Sequence, residues 1–221
     1  MTFSILARDP QTGAIGGAAA TGSLCVGGWV LRGHVLAGVS ASQGAAPSTF
    51  WGEDVLSLMQ DGEEPQTAVD RVTSSDKGHA HRQVSALDLH GATGAYTGAA
   101  NDDSKGHLSF AQGIVAGNML SNQTVLRAMV DGYEAAQGDF SRRLLTALDT
   151  ARSAGGDYRG LLSAALLVLH PDHPPLTLRI DYHPDDPVKA LEDLLRRATT
   201  GPYSDWARQV PVSSDRDRTL D

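Results

Sequence analysis

The order of strand-like and helix-like segments constrains the fold of this chain more than any other feature of the sequence. Alternating apolar residues predict strands at 2–7, 14–21, 29–32, 34–42, 83–89, 94–97, 108–115, 161–169 and 176–182. Amphipathic repeats predict helices at 49–59, 66–72, 122–136 and 139–151, and a last helix that begins at Asp186-Pro187. Blocks of strands that alternate with blocks of helices predict an α+β protein in which two antiparallel sheets are stacked with helices outside.

The chain length and the cysteine count restrict the domain organisation. A chain of 221 residues is long enough to bury a core without disulfides, and the single cysteine, Cys25, excludes an intrachain disulfide and a cluster of zinc-binding thiols. Residues 1–198 contain no internal linker, so we expect one domain there. Residues 199–221 are polar and are predicted to form a flexible tail or an arm that lies on a partner subunit.

The charge pattern argues against several classes of partner. The formal net charge is −8, and the 15 arginines and 3 lysines form no basic run, so neither nucleic acid nor an anionic membrane surface is an expected partner. Residues 10–31 carry no charge but are rich in glycine, alanine and threonine, which disfavours a membrane span. The apolar run at residues 3–7 is too short for a signal peptide, and we therefore expect a cytoplasmic protein.

No motif in the sequence predicts a metal or a cofactor. His79/His81 and His170/His173 have tempting metal-site spacings, but neither pair has a third ligand at a helical spacing. The glycine-rich segment 13–17 lacks the Lys-Ser/Thr ending of a phosphate-binding loop. We therefore expect neither a metal ion nor a cofactor.

Thr2 is the most informative position for chemistry because it follows Met1 directly and opens the first strand. Removal of Met1 would leave Thr2 with both its hydroxyl and a free α-amine, whose pKa of about 7.7–8.0 suits a base for acyl transfer. Arg32 and His34 lie on or next to a strand and could favour the attacking form through their charge. For Thr2, the alternative is an ordinary Met-Thr start without a catalytic role. For Arg32 and His34, the alternative is a solvated strand end. The sequence leaves both alternatives open.

Amide and hydroxyl groups at the ends of predicted elements are candidates for an oxyanion site. They occur in the segments Ser42-Gln43, Tyr96-Thr97-Gly98 and Gly117-Asn118. Each segment is also compatible with ordinary turn or cap chemistry, so the sequence by itself does not separate the two interpretations.

Several short motifs, in order over residues 2–198, resemble the bacterial family called domain of unknown function 1028. The motifs are Thr2-Phe3-Ser4-Ile5, Ala7-Arg8-Asp9-Pro10, Ala37-Gly38-Val39, Ser42-Gln43, Arg82-Gln83-Val84, Tyr96-Thr97-Gly98, Gly117-Asn118-Met119-Leu120, Gly155-Gly156-Asp157, Arg159-Gly160 and the run from Ser163 to Val168. The resemblance implies the N-terminal nucleophile (Ntn) hydrolase fold, a four-layer αββα sandwich, with Thr2 as the nucleophile and its α-amine as the base. Such folds often assemble, so a homo-oligomer is also expected.

On this resemblance, the hypothesis is an Ntn-type hydrolase that cleaves a linear amide bond of a small metabolite. The catalytic candidates are Thr2, Arg32 and Asn118, and the substrate-binding candidates are His34, Gln43, Arg82 and Thr97. Backbone N–H groups near Gln43 and Asn118 would hold the oxyanion.

The chain departs from the family pattern at three places, which keeps a second hypothesis open. Ala116 and the pair Leu161-Leu162 stand where polar residues are expected, and the segment 99–101 lacks an expected cysteine. These departures favour a more apolar or an altered pocket. The alternative is therefore a non-catalytic member that binds a small ligand or serves as a structural subunit.

Overall fold

The computed structural model describes residues 2–102 and 104–220. In these two ranges, the strands are β1 (Thr2–Arg8), β2 (Ile15–Thr21), β3 (Leu31–His34), β4 (Gly38–Gly44), β5 (Arg82–Asp88), β6 (Thr93–Thr97), β7 (Gly106–Phe110), β8 (Gly113–Asn118), β9 (Ser163–His170) and β10 (His173–Ile180). The helices are α1 (Val26–Trp29), α2 (Thr49–Gln60), α3 (Pro65–Ser74), α4 (Val125–Ala135), α5 (Phe140–Ser153), α6 (Pro187–Ala198) and α7 (Gly201–Ala207), and a 3₁₀ turn (His79–His81) precedes β5.

The strands form two antiparallel sheets, which confirms the predicted α+β class. The larger sheet has the order β10-β9-β2-β1-β8-β7, and the smaller sheet has the order β3-β4-β5-β6. The predicted hairpin of the first two strands is present, with Thr2 opposite Thr21. Because β1 lies between β2 and β8, the N-terminal strand is in the interior of the larger sheet.

The two faces of β1 pack against different partners. Phe3, Ile5 and Ala7 join a core cluster with residues of α4, α5 and α6, whereas Leu6 joins the cluster between the sheets. Successive side chains of a strand point to opposite faces. Thr2 therefore lies on the face of Leu6, which is turned toward the smaller sheet.

The outer face of the smaller sheet is covered by α2 and α3. Val84 and Ala86 of β5 pack there against Trp51 and Val55 of α2. Helices therefore lie outside both sheets, and the arrangement is consistent with a sandwich.

Two glycines of β2 leave no room for a side chain beside the neighbouring strands of the larger sheet. A Cβ atom on Gly17 would lie 2.6 Å from Leu6 Cδ2 and 2.8 Å from the carbonyl oxygen of Ile5. A Cβ atom on Gly16 would lie 2.4 Å from the carbonyl oxygen of Leu167. The glycine-rich sequence of this strand is thus a requirement of its central place in the larger sheet.

Two local predictions are wrong. The single strand predicted at 108–115 is the hairpin of β7 and β8, because Gln112 adopts a left-handed φ of 93° at the turn. The strand predicted at 29–32 does not begin at residue 29, since Val26–Trp29 forms the short helix α1 and β3 begins at Leu31.

The segment predicted as a tail or arm contains the helix α7. Beyond it, Val212 is 5% exposed and pairs with Asp215, and Ser214 donates a hydrogen bond to the carbonyl oxygen of Pro171. The domain limits at 1–198 and 199–221 stay a prediction, and Met1 and Asp221 lie outside the described residues.

Among residues 2–102 and 104–220, no helix is both long and apolar enough to cross a membrane. The cytoplasmic location stays a prediction.

Tyr133 on α4 gives the fold a pH dependence in the alkaline range. Its ring is buried under the Arg143 guanidinium, 4.4 Å away, and its hydroxyl has no hydrogen-bond partner among the described residues. Burial raises the pKa of Tyr133 to about 12, while the charge of Arg143 lowers it and that of Asp9 raises it to smaller extents. Because the folded state holds this group neutral, stability is present below pH 10 and is lost as the pH rises from about 10 to about 12.

We expect Tyr133→Phe to raise the free energy of unfolding at pH 7 by about 1 kcal/mol, since it removes a buried hydroxyl without a partner. The variant should also lose less stability than the unchanged protein between about pH 10 and pH 12, because residue 133 no longer titrates. Denaturant unfolding at pH 7 and pH 11 measures both effects, with Tyr182→Phe on the surface as the control. Equal or lower stability of Tyr133→Phe at both pH values would contradict this account.

Candidate functional site

A cavity of about 510 Å³ opens beside Thr2 at one edge of the sheets. The polar part of its lining includes Thr2, Thr21, Gln43 and Arg159. The remaining wall is largely apolar and comes mainly from the segment around α1. Its volume lies within the range of about 300–1,000 Å³ that is common for small-molecule sites.

A row of polar residues crosses the larger sheet at this edge. Thr2 lies opposite Thr21 on β2 and opposite Asn118 on β8, and Thr21 lies opposite Ser163 on β9. The Thr2 hydroxyl donates to Thr21 Oγ1 over 3.3 Å. Cross-strand partners share a face of the sheet, so all four side chains are turned toward the smaller sheet.

Buried amides from the smaller sheet meet this row. Gln83 Oε1 accepts hydrogen bonds from Gln43 Nε2 at 2.7 Å and from Asn118 Nδ2 at 3.0 Å. Gln83 Nε2 donates to Thr97 Oγ1 and to the carbonyl oxygens of residues 106 and 117, each at 2.9 Å. Gln43 Nε2 also lies 3.4 Å from the carbonyl oxygen of Thr2. Gln83 is thus the centre of an amide network that joins both sheets.

The network fixes the orientation of its amides. Gln83 Oε1 faces two NH₂ groups and its Nε2 faces two backbone carbonyl oxygens, so a rotated amide would place nitrogen against nitrogen and oxygen against oxygen. With this orientation, Gln43 Oε1 and Asn118 Oδ1 are buried and have no hydrogen-bond partner among the described residues. A buried carbonyl oxygen without a hydrogen-bond donor is costly. We therefore expect these two oxygens to accept hydrogen bonds from a further group at the site.

Arg159 brings a fixed positive charge to the cavity. Its guanidinium bonds Asp157 through Nε at 3.2 Å and Nη2 at 3.0 Å, and the Asp157 side chain is fully buried. The hydrogen bond with Asp157 is the largest influence that raises the pKa of Arg159. Asp157 also accepts a hydrogen bond from the backbone N–H of Gly22 at 2.6 Å. The buried carboxylate therefore anchors the guanidinium beside the loop after β2.

Two of the four non-glycine residues that have a positive φ in the described part of the chain lie at the cavity. Met119, which lines it, has a φ of 55°, and Cys25, between two lining residues, has a φ of 60°. Non-glycine residues in this conformation cost on the order of 1–3 kcal/mol each and are enriched at functional sites.

The structure does not bring Arg32 and His34 to this cavity. Arg32 lies opposite Ser40, whose hydroxyl bonds Gly52 of α2, so both side chains face the outer helices, whereas Gln43 faces the larger sheet. Arg32 pairs with Glu53 at 3.2 Å. His34 lies opposite Gly38, five residues or about 17 Å along β4 from Gln43. It lines a separate cavity with His170 and His173.

Arg82 also lies away from Thr2. It pairs with Asp76 at 2.9 Å and lies near the Trp51 ring, on the outer face of the smaller sheet. The pKa of Asp76 is lowered, first by the backbone N–H of Gly78 and then by Arg82. Its neighbour Gln83 takes the inner position, because adjacent strand residues point to opposite faces.

The structure thus brings together Thr2, Gln43, Asn118 and Thr97 of the predicted site residues. Sequence reasoning missed the roles of Gln83, Asp157 and Arg159, although all three stand in motifs that carried the family resemblance. Strand alternation could have separated Arg82 from Gln83, but the inner face of β5 was not known from the sequence.

No group of three or more His, Cys, Asp or Glu side chains that could hold a metal ion occurs in residues 2–102 and 104–220. His79 and His81 lie in the 3₁₀ turn before β5. The rings of His170 and His173 are 4.9 Å apart at the turn between β9 and β10.

Fold and site define an α+β protein of two antiparallel sheets with a threonine and amide cleft at one edge. Residues 2–191 match the family model described as "Family of unknown function (DUF1028)", and the chain belongs to this family. This match confirms the family resemblance that the sequence motifs indicated.

Solved structures are similar to the chain at two levels. The crystal structure of a protein from Silicibacter pomeroyi, described with the same family model, is 64% identical and has a TM-score of 0.97; the match covers 100% of this chain and 96% of that one. Anbu (ancestral beta-subunit) from Yersinia bercovieri is 12% identical with a TM-score of 0.41, over 90% of this chain and 98% of that one. The search of curated proteins gave no match.

Proposed function

We propose that this protein is an Ntn-type hydrolase that cleaves a linear amide bond of a small metabolite, with Thr2 as the nucleophile after removal of Met1. The observation that carries the proposal is the Thr2 hydroxyl, which lines a cavity of about 510 Å³ beside a fixed cation and a buried amide network. The layering of helices and sheets supports the αββα sandwich that this proposal includes.

The proposed reaction has two steps. Thr2 Oγ1 attacks the amide carbonyl carbon while the α-amine accepts the hydroxyl proton. The C–N bond then breaks, the α-ammonium returns the proton to the leaving amine, and an ester on Thr2 remains. Water, activated by the same amine, hydrolyses this ester and releases a carboxylic acid.

The two buried amide oxygens are proposed to orient the α-amine. Gln43 and Asn118 both border the backbone of Thr2, the first through its 3.4 Å contact and the second as the opposite residue on β8. A free amine supplies the N–H donors that Gln43 Oε1 and Asn118 Oδ1 need. Thr97 acts through Gln83, which holds both amides in place.

Arg159 takes the electrostatic role that the sequence assigned to Arg32 or His34. A cation near the α-ammonium disfavours the charged form and lowers its pKa, so more free amine is present near neutral pH. The oxyanion donors of the proposal stay the backbone N–H groups next to Gln43 and Asn118.

The intact mass of the protein purified from its own host tests this proposal. We expect a mass that lacks one methionine residue, because the mechanism needs a free α-amine on Thr2. A fully retained Met1 would contradict the mechanism and would favour a ligand-binding or structural role for the same cleft.

Assembly and location stay predictions that the proposed function does not depend on. A homo-oligomer predicts a mass in light scattering that is a multiple of the chain mass, and a monomer in solution would contradict it. The cytoplasmic location is compatible with a small-metabolite substrate.

A further inference from the structure

We propose that the cavity beside Thr2 selects ligands that combine a carboxylate, bound by Arg159, with an apolar group, bound by the wall around α1. The description of these ligands as amide substrates rests on the proposed function. The selectivity itself is a binding property and holds with or without catalysis.

The charge of the cavity lining favours an anion. Among the described residues that line it, Arg159 carries the one ionisable side chain, although the whole chain has a formal net charge of −8. A single positive group in a partly enclosed site of an acidic protein attracts an anionic ligand and disfavours a cationic one.

The guanidinium is held in a fixed position before a ligand arrives. Asp157 binds it through two nitrogens, and Arg159 Nη2 also lies 3.4 Å from Ser23 Oγ. The side chain of Arg159 is still 34% exposed. An arginine that is already ordered loses little entropy when it binds a carboxylate, and its planar fork suits that group.

Asp157 does not cancel the attraction for a second carboxylate. Its oxygens also accept the backbone N–H groups of Gly22 at 2.6 Å and of Arg159 at 2.8 Å. These donors stabilise part of the negative charge of Asp157, so the guanidinium is not its sole counter-charge. Asp157 thus holds the Arg159 guanidinium in place while it also bonds two backbone N–H groups.

The apolar wall fits the second half of the ligand. Leu24 and Trp29 are 54% and 52% exposed and both line the cavity, as do Pro47 and Met119. Large apolar side chains that stay exposed around a cavity are typical of a site that a ligand covers. An aryl or alkyl group of the ligand would contact this wall while its carboxylate reaches Arg159.

Binding of 4-phenylbutanoate and of its neutral isostere 4-phenylbutanamide tests the inference. By isothermal titration calorimetry on the full chain, we expect the carboxylate to bind about 10-fold or more tightly than the amide, as a charge-assisted pair predicts. Arg159→Met should make the two affinities equal. Arg208→Met, which removes a surface arginine paired with Asp205, should leave the ratio unchanged.

A folding control keeps the test decisive. Arg159→Met leaves the buried Asp157 without its ion pair, so the double variant Asp157→Asn/Arg159→Met, which removes both charges, is measured beside it. Equal binding of the two compounds to the unchanged protein, no binding of either, or a preserved preference in both variants would overturn the inference.

The outcome is separable from that of the proposed function. A carboxylate preference in a protein that shows no Thr2-dependent hydrolysis would support the inference and contradict the hydrolase. Thr2-dependent hydrolysis without a carboxylate preference would support the hydrolase and contradict the inference.

Discussion

Replacing Thr2 by alanine is expected to reduce amide hydrolysis by about 10³-fold or more, since loss of a catalytic nucleophile has effects of this size or larger. The assay follows p-nitroaniline release from an acyl p-nitroanilide whose acyl group ends in a carboxylate. Thr2→Ser keeps a hydroxyl on the same residue and should retain measurable turnover. The intact masses of both variants are measured first, so that the proteins compared have the same N-terminal state.

The control for this prediction is Thr93→Ala on β6. The hydroxyl of Thr93 contacts Ser109 Oγ in an exposed position, so its loss should change neither turnover nor folding. Hydrolysis that persists in Thr2→Ala, with circular dichroism unchanged, would show that the chemistry resides elsewhere.

The second large effect concerns stability. Gln83→Met keeps the length of the side chain but removes the amide that bonds Gln43, Asn118 and Thr97. Several buried polar groups lose their partner at once, and each such loss costs about 1–3 kcal/mol, so we expect a decrease of at least about 3 kcal/mol in the free energy of unfolding. For a chain of this size, the melting temperature should fall by about 6–12 °C.

Gln137→Met is the matched control because Gln137 is exposed and has a single weak hydrogen bond at 3.5 Å. Its stability should stay within about 0.5 kcal/mol of the unchanged protein. A Gln83→Met variant as stable as this control would mean that the amide network does not hold the two sheets together as described.

Much of the fold follows from local patterns in the sequence. The turn at Pro10–Gly13 and the alternation before it predict the first hairpin. Asp139 and Asp186 each cap a helix, because their side chains accept hydrogen bonds from the backbone N–H groups of Arg142 and Lys189. The hairpin of β7 and β8 was missed because Gln112, not glycine or asparagine, occupies the left-handed position. No local rule marks a glutamine for that conformation.

The site was harder to predict than the fold because it is assembled from distant strands. Thr2, Gln43 and Asn118 meet only when β1, β4 and β8 are stacked and in register. The sequence does not predict Arg159 as a site residue, because its role depends on a buried carboxylate two residues earlier, and burial is a tertiary property. Arg32 lies on a strand, as the sequence indicates, but its strand parity turns its side chain to the opposite face of the smaller sheet.

The most direct test of the account is the covalent capture of Thr2 by a β-lactone, followed by peptide mapping of the modified protein. The account predicts one acyl group per chain, held as an ester on Thr2 Oγ1, and no modification of the cavity in Thr2→Ala. Acylation of another side chain such as Cys25, or an unmodified Thr2 in protein that has lost Met1, would contradict it.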